Sequence, residues 1–123
     1  MKMIVRNPTQ GVYPATSDYV HAMEVREPKR FLYVAGTMGL DEHGIAGKTL
    51  AQQLDLIWSN IRAILLSADM TVDNIVRLTS YLRDPAYAEE NASARVKAST
   101  AAPSPPPASW RRLCRATGWS RSR

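Results

Sequence analysis

Few residues in this chain have the type and spacing that chemistry needs, and most fail on inspection. Gly44-Ile-Ala-Gly47-Lys48-Thr49 ends in Gly-Lys-Thr and opens a helix, which is where a phosphate would sit on free backbone N–H groups. The spacing excludes it: four residues must separate the two glycines, which needs Gly at 42, and the chain has Glu42. His21 and His43 are far apart with no third ligand in view, so each reads as a strand or turn residue and no metal is expected. Cys114 is the sole cysteine; it has no partner for an internal bridge or a zinc knuckle and reads as an exposed thiol without function.

Charge offers a second chemistry, since a formal +5 invites a nucleic-acid partner. Its placement withdraws the invitation. Arg111, Arg112, Arg115, Arg121 and Arg123 carry the whole excess, while all 11 acidic residues lie before residue 101 beside the other 11 Lys and Arg. A neutral body has no basic stripe to follow phosphates, so nucleic acid is not an expected partner of the folded part. No apolar run approaches the roughly 20 residues of a membrane span, and Arg6, Asn7 and Pro8 interrupt the first apolar stretch before it can act as a signal core. A soluble, cytoplasmic, single-domain protein without a membrane partner is expected.

The elements that must position any site follow from pattern. From residue 20 the chain reads as one strand, with Glu27-Pro28-Lys29 as a turn and residues 31–34 as the strand's hairpin partner. Asp41-Glu42-His43-Gly44 is a turn signal, and Thr49 with Gln52 forms a capping box. Behind the cap, Leu50, Leu54, Ile57, Ile61, Ile64, Leu65 and Ala68 recur at helical spacing, with Gln53, Asp55, Ser59 and Arg62 on the opposite face. Residues 75–82 read as a third strand. Asp84 as N-cap with Pro85 in the first turn announces a second helix over residues 86–98. Beyond residue 100 the texture changes: four of the eight prolines fall within residues 103–107, and the basic remainder has no strand or helix period.

Hairpin, helix, strand and helix in that order, with Ala-Gly-Thr-Met-Gly-Leu-Asp at 35–41, Asn-Ile-Arg-Ala-Ile-Leu at 60–65 and Val-Asp-Asn-Ile-Val-Arg-Leu-Thr-Ser-Tyr-Leu-Arg-Asp at 72–84, resemble the reactive-intermediate deaminase (Rid or YjgF) family. The resemblance covers residues 13–98. It implies an α+β, chorismate-mutase-like fold, a six-stranded mixed sheet backed by two helices, assembled as a homotrimer with ligand clefts between subunits. The implied activity is hydrolysis of small reactive imines or enamines of the 2-iminopropanoate type to a keto acid and ammonia, without a cofactor. An arginine clamps the substrate carboxylate and a glutamate positions or activates water. By position in the resemblance, Tyr19, Gly36 and Asn91 are the candidate substrate-binding residues. Their plain alternatives are a packing tyrosine, a turn glycine and a capping asparagine.

The end departs from the family. Its arginine belongs in a Pro-Ala-Arg-Thr-like segment and its glutamate in a closing Leu-Val-Glu-Ile-Glu-like run, whereas this chain reads Pro105-Pro106-Pro107-Ala108-Ser109 and ends Gly118-Trp119-Ser120-Arg121-Ser122-Arg123. Regrouping the bases one position out of frame lets the same region spell Pro-Ala-Arg-Val, then Pro-Gly-Asp-Gly, then Leu-Val-Glu-Val-Glu. A slipped frame near residues 97–104 is therefore expected, dividing the chain into an incomplete family domain over 1–100 and an anomalous Pro- and Arg-rich tail over 101–123. Without the arginine and glutamate no catalytic residue is assigned. A non-catalytic ligand-binding relative is the alternative, and a ribonuclease or translation inhibitor a further one.

Overall fold

The computed structural model describes residues 2–15 and 20–100, and of residues 99 and 100 the backbone alone. Its elements run β1 (Lys2–Arg6), β2 (Ala22–Arg26), α1 (Leu50–Ser67), a 3-10 turn (Val72–Asn74), a second 3-10 turn (Pro85–Tyr87) and α2 (Ala88–Thr100). The α+β class holds.

β1 and β2 pair antiparallel, Lys2 facing Arg26 and Arg6 facing Ala22. Alternation puts Met3, Val5, Met23 and Val25 on one face and the charges on the other. There Arg6 donates to Glu24 at 2.9 and 3.2 Å, and Arg26 joins the same carboxylate. Arg26 first, then Arg6, hold the Glu24 carboxyl below the usual glutamate range. The small stabilisation this gives is present above that range and fades as the pH falls through the lowered value. Pro8, which has no N–H to add to a ladder, follows β1 closely, and Glu27, at φ 52, turns the chain out of β2 before Pro28.

This pairing corrects the expected hairpin. β2 takes the N-terminal strand as its partner, while residues 31–34 and 75–82 belong to no ladder among the described residues. A central strand is held by neighbours on both edges, and the sequence past residue 100 offers prolines where edge strands would donate N–H groups. Phe31, Leu32, Tyr33 and Val34 all face solvent, with the Phe31 and Tyr33 rings stacked 6.3 Å apart.

α1 begins as expected. Thr49 Oγ1 accepts from the Gln52 N–H at 3.2 Å, and the Gln52 side-chain Oε1 reaches back to accept from the Lys48 N–H at 2.8 Å, one residue earlier than a standard capping box. It ends in a Schellman turn, with Asp69 N–H donating to Leu66 O, Met70 N–H to Leu65 O, and Asp69 left-handed at φ 54. Asp69→Gly should relieve that backbone and raise stability by about 0.5–1 kcal/mol, read as a higher denaturant midpoint with an unchanged slope.

The core is small. Leu54, Trp58, Ile61 and Leu65 are the buried face of α1; Trp58, Ile61 and Leu65 cluster with Val72 and with Ala98 of α2, and Ile57, Met70, Ile75, Leu78 and Ala94 pack around them. The expected apolar stripe is thus rotated: Trp58 lies at its centre and Ile64 is exposed. Arg62, expected on the solvent face, sends its guanidinium to Ala98 O at 2.6 Å and so engages a carbonyl in the last turn of α2.

Candidate functional site

Three segments could carry ligand chemistry: the loop after residue 34, the start of α1 that holds it, and the inward face of α2. The loop is built on Asp41, whose Oδ1 accepts from the His43 and Ile45 N–H groups at 2.9 Å each, while Gly44 turns at φ 77 and Leu40 bridges Ala46. This is the turn expected at 41–44. Its base rests on α1. A Cβ at Gly39 would stand 2.7 Å from Gln53 Cα and O, so only glycine lets the loop lie against the first turn of the helix. Asn60 then fastens the strip, its Nδ2 donating to Met38 O at 3.2 Å and Leu40 O at 2.9 Å. Asn60 is a positioning residue that pattern reading did not single out. Its signal was a polar amide in an otherwise alternating helix.

Gly36 sits on this strip, exposed, with no atom within 4 Å of where a Cβ would be. Its backbone is open to an approaching group on the side a Cβ would occupy. Tyr19 lies outside the described residues, as do Cys114 and the whole tail. Among the described residues no three His, Cys, Asp or Glu side chains gather as metal ligands. His21 is engaged locally: its N–H donates to Asn7 Oδ1 at 2.8 Å, and its ring meets Tyr13 edge-on at 5.0 Å with Nε2 at 2.7 Å from Tyr13 O.

Asn91 differs from Gly36 in being buried. Asp84 Oδ1 accepts from Ala86 N–H at 2.9 Å, Pro85 opens the turn, and α2 follows, so the expected start of this helix is confirmed to within two residues. Asn91, Ala94, Arg95 and Ala98 then form its inward face. Asn91 Nδ2 has no hydrogen-bond partner there. Buried amides are almost always paired, so one left open is a donor that calls for an acceptor, from ordered water or from a ligand.

Comparison with known proteins bears on what this arrangement belongs to. The family model for endoribonuclease L-PSP matches residues 10–112. The RutC family protein YjgH of Escherichia coli (strain K12) is 37% identical over 54 residues, 44% of this chain and 41% of that protein. The aligned stretch thus spans about two fifths of that relative's length. A crystal structure of YyfB from Yersinia pestis, a protein of unknown function in the Rid family, superposes with a TM-score of 0.60. It covers 76% of this chain and 77% of that one at 28% identity. The family-model match over most of the sequence, on a fold shared with YyfB, establishes that the chain belongs to the endoribonuclease L-PSP family, known also as the Rid or YjgF family.

Proposed function

We propose that this protein acts on small reactive imines and enamines of the 2-iminopropanoate type, hydrolysing them to a keto acid and ammonia within a homotrimer. The observation that carries this reading is the family match over residues 10–112. The open backbone at Gly36 and the unpaired amide of buried Asn91 support it, because both suit a small polar ligand better than a polymer. No helix among the described residues is long and apolar enough to cross a membrane, which suits a water-borne substrate.

The chemistry asks little of a protein. Water adds to the C=N carbon, its proton passes to nitrogen, and the tetrahedral carbon expels ammonia as the C=O bond forms. The site must hold the carboxylate, place the water and supply a base. The base is what the present sequence lacks at the family position, since the tail contains no Asp or Glu. That absence favours a second reading for the chain as it stands: it holds such acids without turning them over. A ribonuclease reading is weaker, because the charges before residue 101 sum to zero.

The test is ammonia release from 2-iminopropanoate generated in situ, run beside sedimentation of the purified chain. Release above the spontaneous rate by a species three times the 13.7 kDa monomer supports the full reading. Binding of the keto-acid product without release supports the second, and neither binding nor release sinks both.

A further inference from the structure

Three buried polar atoms of the described residues have no hydrogen-bond partner, and two of them share one face of α2. Asn91 and Arg95 are four residues apart, so their side chains lie on adjacent turns. They are 7% and 8% exposed, and both Asn91 Nδ2 and Arg95 Nη2 are sealed from solvent with nothing to donate to. None of the ion pairs among the described residues involves Arg95; they join Arg6 and Arg26 to Glu24, and His43 to Glu42. The third orphan, Asp73 Oδ1, is an acceptor that makes no ion pair with it.

A guanidinium cannot relieve burial by losing its proton, so its charge has to be met by an anion. Two unpaired donors one helical turn apart, an amide N–H and a guanidinium N–H, suit an anion with more than one acceptor oxygen, such as a carboxylate. In a site closed to water such charge-assisted bonds are at their strongest.

We propose that Asn91 and Arg95 form a carboxylate-receiving site on the inward face of α2, taking small 2-oxo and 2-imino acids. In the chain as it stands, Arg95 is then a cation that holds the acid from a helix. The choice of acid rests on the function proposed above; the site itself rests on the two orphaned donors.

Calorimetric titration of the full chain with pyruvate, and with inorganic phosphate for comparison, tests this on the unaltered protein, Arg95→Met and Arg95→Lys. The expected result is pyruvate binding that weakens about 10–100-fold in Arg95→Met, with a smaller loss in Arg95→Lys, which keeps the charge but not the fork. Arg95→Met should also melt above the parent without ligand, since it replaces a buried unpaired charge by an apolar chain of similar length. Equal pyruvate affinity in the parent and Arg95→Met overturns the proposal. So does a parent that answers to neither anion, its donors then holding buried water only, or one that prefers phosphate. Arg95-dependent pyruvate binding without ammonia release overturns the catalytic reading and leaves this site standing. Ammonia release with pyruvate binding indifferent to Arg95 does the reverse.

Discussion

A chain carrying the frame-corrected end, with the tail after residue 100 replaced by the sequence spelled one base out of register, is expected to release ammonia from 2-iminopropanoate at least about 100-fold faster than the present chain. The magnitude is that of a positioned acid–base group, which contributes roughly 10²–10⁴ in rate. On the function proposed above, the replacement supplies a closing Leu-Val-Glu-Val-Glu run, whose glutamate would position and deprotonate the attacking water, and a Pro-Ala-Arg-Val segment with its arginine. It also replaces Pro105-Pro106-Pro107, which cannot donate to a ladder, so residues 75–82 gain the edge they lack. Sequencing the gene across the tail and weighing the intact protein decide which end nature uses. If the corrected and present chains release ammonia equally slowly, the assignment of catalysis to that end is wrong.

Trp58→Ala is expected to abolish cooperative folding of the described body. Trp58 is 6% exposed in a cluster whose other buried members are Ile61, Leu65, Val72 and Ala98. Removing a buried aromatic costs about 3–5 kcal/mol, against a total of about 5–15 kcal/mol for an ordinary domain. This body has an unusually small core and several large apolar side chains in solvent, so it starts near the low end. Loss of the sigmoidal urea transition is the expected observation, with Ile64→Ala as control. Ile64 is on the same helix but 37% exposed and should shift the midpoint only slightly. Similar transitions for both variants would mean that the Trp58 cluster is not what holds α1 in place.

How much of this was legible in the sequence depended on whether the deciding interaction was local. The start of α1 was, because Thr49 and Gln52 act within one turn. So were Asp84-Pro85 at the start of the second helix and the Asp41 turn. The stripe of α1 was read with the wrong centre, since aliphatic residues at 50, 57 and 64 competed with Trp58 for the same period and only the neighbours decide which face is covered. The partner of β2 was not legible at all: Glu27-Pro28-Lys29 argues for the strand that follows, whereas the ladder is made with Lys2–Arg6 across a long excursion. Pairing that distant leaves no periodic trace.

The site divides in the same way. Asn91 and Gly36 are candidates through resemblance alone, and the structure places one buried and one open. Arg95 was invisible, because arginine on a helix rich in Ala and Glu reads as solvent-facing. A helix whose covered positions are Asn, Ala, Arg and Ala has no apolar stripe to reveal its orientation.

The stacked Phe31 and Tyr33 have a consequence for how the protein is handled. A run of four residues, Phe31 to Val34, without ladder partners among the described residues is a template for whatever chain arrives next. When that arrival is an identical copy, closure is a second- or higher-order process. The melting temperature then climbs with protein concentration, and dilution alone loosens the fold. When the arrival is out of register the same ribbon seeds precipitation, so the fate of a preparation is set by how quickly the right copy outruns the wrong one.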